Sequence, residues 1–337
     1  MHFLITGHTG FKGAWLCMLL HARGHSVSGI SLEPETDSLF IQANVQKFLE
    51  RDIRCDINES SKLTSYFNET NPDVVIHLAA QALVRESYIN PITTFETNVM
   101  GTLNVMKASQ QLRELKAQLI VTTDKVYKNI NKTSGYVETE ALGGQDPYSA
   151  SKAMADIAAQ SWLTSFDNPP TAIARAGNVI GGGDICADRL IPDLIQSYLS
   201  GLKPKLRAPN SIRPWQHVLD CLNGYLILID GVLGGTAEGA WNFGPKENQT
   251  KTVADVADIA GDIWGMKENW EKDLGNHPHE ASVLTLNSNK ARTRLGWSEK
   301  LNFEESVEWT VNWYKCVYGG SNALEESLRN IREFELK

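Results

Sequence analysis

The chain has 337 residues, 42% hydrophobic and 21% charged, with a formal net charge of −8; that is enough for one large or two modest domains with a substantial core. The acidic balance argues against a nucleic-acid polymer or an anionic membrane as partner, while leaving room for a local basic pocket that takes a phosphorylated substrate. The five cysteines, Cys17, Cys55, Cys186, Cys221 and Cys316, are odd in number and follow no CxxC spacing, so they read as reduced thiols rather than a disulfide or zinc framework.

Met1 leads within two residues into FLIT, which leaves no room for the basic and apolar segments of a targeting peptide. No apolar run approaches about 18 residues. A soluble cytoplasmic protein is expected. Strand candidates then follow in order: HFLIT (2–6), SVSGISL (26–32), DIRC (52–55), DVVIHL (73–78), QLIVTT (118–123) and TAIARA (171–176). Amphipathic stretches of helix length, such as FKGAWLCMLLHARG and NVMGTLNVMKASQQL, lie between them. Strands alternating with helices predict βαβ units and a Rossmann-type doubly wound parallel sheet of the α/β class. After residue 176 the rhythm breaks at the glycine-rich GNVIGGGD. Residues 1–176 are therefore expected to form the dinucleotide-binding domain, and 177–337 a smaller C-terminal α/β substrate-binding region interleaved with the last strands.

The first motif, TGHTGFKG at residues 6–13, sits between the first strand and the first helix. Gly7 serves a tight turn, Gly10 lets the backbone approach a pyrophosphate, and Gly13 allows close helix–strand packing. The following helix N-terminus offers free N–H groups to the phosphates, so Thr9, Phe11 and Lys12 join the glycines as candidate cofactor contacts. Glu33 lies about 20 residues on, where an acid bonds ribose hydroxyls and repels a 2′-phosphate. That favours NAD, although Lys12 could attract such a phosphate and so leaves NADP open.

The strand candidate 118–123 is followed at once by Asp124 and Lys125, an acid beside a base. Such a pair is either an ion pair at a rim or catalytic equipment for two neighbouring atoms. Use of Lys125 as a base requires its pKa to fall from about 10.4 by some three units, roughly 4 kcal/mol, which only burial and nearby cations supply. The second motif, Tyr148-Ser-Ala-Ser-Lys152, places phenol and ammonium on one helical face at i, i+4. A phenol of pKa near 10 is a poor base at neutral pH, and a neighbouring ammonium with a positive nicotinamide ring would bring it toward working range.

HLAAQALVRESY (77–88), TNVMGT (97–102), TTDKVY (122–127), GGQDPYSASK (143–152), RAGNVIGGGD (175–184), RLIPD (189–193), RPWQHV (213–218), WNFGP (241–245) and NHPHEA (276–281) follow TGHTGFKG in order. Together they resemble the extended short-chain dehydrogenase/reductase superfamily, nucleotide-sugar 4,6-dehydratase branch, and within it the CDP-glucose enzymes. The resemblance runs from residue 3 to about Trp313. It implies a hydro-lyase of deoxysugar and lipopolysaccharide O-antigen biosynthesis with bound NAD. Tyr148 would take the proton of the sugar 4-hydroxyl, Thr123 would bond the C4 oxygen, and Lys152 would hold the nicotinamide ribose. Lys125 would remove the C5 proton, and protonated Asp124 would deliver a proton to the departing C6 hydroxyl. Related sugar dehydratases carry a glutamate where Lys125 stands, which is why the lysine points to the CDP-glucose branch.

The same resemblance implies cofactor contacts at Asp56, Ile57, Leu78, Ala79 and Ala80, and substrate contacts at Gln81, Ser87, Asn178, Arg189, Leu190, Arg213 and His217. Arginine suits a diphosphate because its planar fork matches phosphate oxygens. The His277-Pro-His279-Glu280 run lacks metal-ligand spacing, so no metal is expected. Two segments depart from the pattern: KNINKTSGY (128–136) lacks tryptophans, and the connector TSFDNPPT (164–171) is short. They leave open the nucleotide base (CDP against UDP, GDP or dTDP) and the C2 substituent. A 4-epimerase or reductase needs Tyr148 and Lys152 but no paired acid and base, and a non-catalytic NAD sensor needs neither pair. Apolar residues on more than one face of 98–112 and 146–163 suggest a homodimer contact, with a tetramer also open.

Overall fold

Six segments pair side by side just where short apolar runs end in turn residues. β1 (His2–Thr6), β2 (Ser26–Ser31), β3 (Leu49–Arg54), β4 (Val74–His77), β5 (Ala117–Val121) and β6 (Thr171–Ala176) are joined by β7 (Gly239–Phe243) in a seven-stranded sheet of order 7-6-5-4-1-2-3. Every pair is parallel, and the order reverses between β1 and β4, the switch point where such sheets bind ligands beyond their carboxyl ends. The computed structural model describes residues 1–132, 134–246, 251–275 and 283–337. The HPHE run lies outside the described residues.

Alternate side chains of the strands feed two cores, as the two-residue period requires. Phe3 and Ile5 of β1 pack with α1 (Phe11–Ala22), whereas Leu4 faces Leu63 and Phe67 of α2 (Ser60–Thr70) and Val105 of α3 (Gly101–Gln110). Met106 of α3 and Ala159 of α4 (Pro147–Ser165) close over Ile120 and Ile173 on that second face. On the first face lie α5 (Leu190–Leu199), α6 (Val218–Leu233), α7 (Val253–Trp264), α8 (Phe303–Tyr318) and α9 (Ala323–Leu336), which share one core with α1.

The expectation of an amphipathic first helix is corrected: Gly13 through Leu20 of α1 are all buried. The sheet covers one side of this helix and the C-terminal helices cover the other, so no face remains for water. Residues 98–112 also begin differently from the expected helix, since Glu96–Met100 form a π turn that runs into α3. The strand expected over 118–123 stops at Val121, because the Thr123 side chain caps a 3₁₀ turn at Asp124–Val126. The acid and base therefore sit in a short helical turn beyond the strand. Residues after 176 contribute β7 and α6 to the sheet domain, and α5 with the start of α7 lines the cleft beside β6.

Candidate active site

The carboxyl ends of β1, β4, β5 and β6 open into a cleft of about 630 Å³. Asp124, Lys125, Tyr148, Asn178, Arg189 and Arg213 all line it. Tyr148 is brought there by the start of α4. Pro147 occupies the first helical turn, where its missing N–H costs nothing, and Asp146 caps the helix by accepting from the Ser149 backbone N–H at 2.9 Å. Ser149 returns its hydroxyl to Asp146 at 2.6 Å. Gly144 is needed for this approach, since a Cβ there would lie 2.2 Å from the Ala150 nitrogen. Ser87, expected at the substrate, instead accepts from the Tyr148 backbone N–H at 3.1 Å and donates to the Val84 carbonyl. It is wholly buried and fixes the turn that carries the phenol.

Burial dominates the chemistry of the cleft. The Tyr148 phenol is pushed up to about 12 by burial, with the Asp124 charge adding and the Thr123 hydrogen bond and Arg189 opposing. Asp124 is 2% exposed, and burial raises its pKa from the ordinary value of an aspartate despite Lys125, Thr123 and Arg213. Its Oδ1 accepts from the Thr123 hydroxyl at 2.9 Å, while its Oδ2 is buried with no hydrogen-bond partner. The Lys125 ammonium sits 5.7 Å from the centre of the Tyr148 ring. One acid with an open oxygen, one amine and one phenol thus converge within a single turn and the first turn of one helix.

Lys152 is buried and donates to the Val121 carbonyl at 3.0 Å. Burial lowers its pKa to about 8, with Lys12 adding and Asp156 opposing. The ammonium is therefore anchored on the strand end. Arg189 pairs with Asp184 at 2.9 Å, and Arg213 is buried and donates to the Ile212 carbonyl at 2.9 Å. Leu190 and Asn178 line the same wall.

The glycine loop separates what the fold needs from what a ligand needs. Gly7 has φ +80°, and a Cβ there would stand 2.6 Å from the Ala79 nitrogen. At Gly13 a Cβ would stand 2.2 Å from the Gly7 carbonyl oxygen. At Gly10, by contrast, a Cβ would meet only the Gly7 oxygen at 3.5 Å, an ordinary contact. The protein itself does not require glycine there, and the open backbone at the start of α1 suits a dinucleotide pyrophosphate. Ala79 stands against Gly7, with Leu78 and Ala80 half-buried beside it at the end of β4. Phe11 lines the inner end of the cleft. Glu33 follows β2 with its side chain 80% exposed and accepts from Arg54 at 3.1 Å.

Several expected contact residues also make bonds within the protein. Lys12 points away from the adenosine side: it is half-buried and lines the cleft, 5.8 Å from the Tyr225 ring centre and within the electrostatic reach of Asp124 and Arg189. Thr9 spends its hydroxyl on Ser31 at 2.7 Å and on the Leu32 carbonyl. Asp56 accepts from the Asn58 N–H at 2.8 Å, and Ile57 is buried beneath Gly101 of α3. The Gln81 amide is consumed by Leu83 and Thr94. His217 is fully buried between Trp15 and Trp309 and caps α6 through the Leu219 N–H. Among the described residues no group of three His, Cys, Asp or Glu is arranged to hold a metal.

The sequence reading missed Arg85, Asp188 and Arg207 of the cleft. Asp188 joins Arg85 at 3.0 Å and Arg207 at 3.1 Å across the mouth. No spacing rule connects three positions so far apart, although Arg85 lies inside the HLAAQALVRESY segment.

A family model described as GDP-mannose 4,6 dehydratase matches residues 4–310. The chain is 41% identical to the CDP-glucose 4,6-dehydratase of Salmonella typhimurium strain LT2 over 98% of this chain and 95% of that protein. It is similar to a solved dTDP-glucose 4,6-dehydratase of Bacillus anthracis in complex with NAD, with a TM-score of 0.81, 25% identity, and coverage of 96% of this chain and 99% of that one. A UDP-glucose 4-epimerase of Thermus thermophilus complexed with NAD shares the fold at a TM-score of 0.82 and 24% identity, covering 94% of this chain and 99% of that one.

Proposed function

The chain belongs to the GDP-mannose 4,6 dehydratase family, and on that premise we propose that it removes water from a nucleotide-diphospho-sugar, CDP-glucose first, to leave CDP-4-keto-6-deoxyglucose. The observation that carries the reading is Asp124: a buried carboxyl with raised pKa and one unpartnered oxygen, next to Lys125 and facing Tyr148. A departing hydroxyl requires an acid, and burial favours the proton-holding form of this carboxyl.

The backbone at Gly10 and the N-terminus of α1 would hold the NAD pyrophosphate, Glu33 the adenosine ribose, and Lys152 the nicotinamide ribose. When bound, NAD supplies a hydride acceptor at C4 of the sugar and a hydride donor at C6. Tyr148 accepts the proton of the 4-hydroxyl, and Thr123, already bonded to Tyr148, holds the C4 oxygen. Because burial holds the phenol at about 12, the positive charge of the bound cofactor would be needed to bring it into range. Lys125 removes the C5 proton acidified by the C4 ketone. Asp124 gives its proton to the C6 oxygen, the C6–O bond breaks and one water leaves. Lys125 then returns its proton to C5. Arg189 and Arg213 carry the diphosphate, joined by Arg85 and Arg207 once Asp188 gives way.

Residues 1–176 thus act as the cofactor-binding and catalytic unit, and 177–337 supply most substrate contacts. Met100, Met154 and Ile157 leave large apolar surfaces exposed on the π turn and α4, at 52%, 49% and 50%. They favour a homodimer in which these helices pair with their copies. No helix of the described chain is long and apolar enough to cross a membrane, in keeping with a cytoplasmic step of O-antigen deoxysugar synthesis. The test incubates the protein and catalytic NAD with CDP-glucose, and separately with UDP-, GDP- and dTDP-glucose, and weighs the products. Loss of one water from CDP-glucose, abolished in Lys125→Ala, is expected. Loss from another nucleotide sugar alone would change the substrate, and sugar isomerised without water loss would point to an epimerase.

A further inference from the structure

The helix that carries Tyr148 and Lys152 continues the same stripe one step further, to Asp156 at i+8. Asp156 is fully buried and takes a bidentate grip from Arg175 of β6, at 2.9 Å from Nε and 2.7 Å from Nη2, with Arg175 only 1% exposed. A buried ion pair is poor evidence for stability, because desolvation offsets its attraction. Its partners show another use. The Thr122 hydroxyl donates to Asp156 Oδ2 at 2.9 Å, and Arg175 Nη1 donates to the Tyr127 hydroxyl at 2.9 Å. Thr122 and Tyr127 are the residues immediately flanking the turn 123–126 that presents Thr123, Asp124 and Lys125.

The second end is locked further. Burial pushes the Tyr127 phenol up to about 12, so it keeps its proton and donates to Asn242 Oδ1 of β7 at 2.7 Å. Asn242 donates in turn to the Tyr136 carbonyl at 2.8 Å. Asp156 also accepts from Gln160 at 2.7 Å, leaving neither carboxylate oxygen unused. Asp156 and Arg175 do not line the cleft and stand behind the turn, while Thr122 and Tyr127 line it on either side of the turn.

We propose that the Asp156–Arg175 pair is a positioning device that holds the acid–base turn at both of its ends, through Thr122 on one side and Tyr127 on the other. The inference rests on the dehydratase reading. It makes Thr122, Tyr127, Asp156 and Arg175 positioning residues chiefly for elimination at C5 and C6, where both groups sit on the turn; oxidation at C4 draws on Thr123 of the turn but also on Tyr148, which has its own anchors in Ser87 and Asp146.

The test uses Thr122→Val, which deletes the hydroxyl that donates to Asp156, and Tyr127→Phe, which deletes the bonds to Arg175 and Asn242, singly and together; both leave the ion pair intact. CDP-glucose is mixed with the NAD-loaded protein, and two signals are followed: near-ultraviolet absorbance of reduced nicotinamide, for oxidation, and loss of water by mass, for elimination. Displacing the turn by about 1 Å is expected to slow water loss by about 10²-fold in the double variant, with KM little changed. Reduced nicotinamide should then accumulate where the unaltered protein shows none. Water loss within about twofold of the unaltered protein, or oxidation and elimination slowed alike without accumulation, would overturn the proposal. If the double variant does not fold, the single variants decide by the same partition. Failure of the unaltered protein to remove water from any nucleotide sugar would instead overturn the dehydratase reading, and the positioning role with it.

Discussion

Asp124→Asn should lower activity and raise stability together. The amide keeps the shape of the side chain and can still accept from Thr123, but it has no proton to give. Loss of a general acid typically costs about 10² to 10⁴ in rate, and kcat for water loss should fall by that much with KM little altered. The stability change follows from the direction of the pKa shift. Burial raises the folded-state pKa of Asp124 above the 3.8 of an unperturbed aspartate, so the folded protein holds the proton more tightly than the unfolded chain. The contribution of this group is full below that ordinary value and is lost as pH rises through the folded pKa. At neutral pH each unit of upward shift therefore costs about 1.4 kcal/mol. A chain of this size has an unfolding entropy near 0.7 kcal/mol/K, so each unit corresponds to about 2 °C in Tm. Calorimetry at neutral pH should find the variant melting above the unaltered protein, and mass spectrometry should find it nearly inactive. A variant that melts lower would show Asp124 to be the ionised half of a pair with Lys125, and a variant retaining a tenth of kcat would remove it from the acid role.

Gly10→Ala should leave Tm unchanged within about 1 °C, since its Cβ meets only an ordinary contact at 3.5 Å, while weakening NAD binding about 10-fold or more by titration calorimetry; Gly13→Ala, with 2.2 Å to the Gly7 oxygen, should instead unfold the loop, and equal behaviour of the two would refute the division. His77 and His217 are buried and held neutral, each lowered to about 3 by burial. Their contribution is full above the ordinary 6.5 and is lost as pH falls toward 3, at about 1.4 kcal/mol per unit for each. Urea unfolding should therefore lose about 4 kcal/mol between pH 7 and about 5, and a flat profile would place both rings in contact with water. Ile157→Glu, on the exposed face of α4, should convert the dimer to monomer in sedimentation without loss of the helix signal; a monomeric unaltered protein would refute that contact.

Much of the sheet domain was legible because its signals are local. Apolar runs ending in turn residues marked six of the seven strands, and the glycine spacing marked the first crossover. The Tyr148 and Lys152 stripe needed only the 3.6-residue helical period, and Asp124 beside Lys125 needed no geometry at all. β7 was not predicted as a strand, although its residues sit in the quoted WNFGP segment, because its partner β6 lies more than 60 residues earlier and nothing local distinguishes it from a loop.

What only the tertiary structure decided concerns direction and burial. Lys12 belongs to a loop that suggested the adenosine side, yet the first turn of α1 rotates it into the cleft beside Tyr225 and Asp124. His217 belongs to the most distinctive motif, yet it packs between two tryptophans, Trp15 and Trp309, that come from helices far away in the chain. Arg175 and Asp156 look like a strand arginine and a helix acid, and their pairing behind the catalytic turn exists only once β6 and α4 have met. The sequence by itself determined which groups could do acid–base chemistry, since that depends on functional groups and short spacings. Whether each is charged, aimed at the cleft or spent on the scaffold depends on burial, which is set by contacts between residues far apart in the chain.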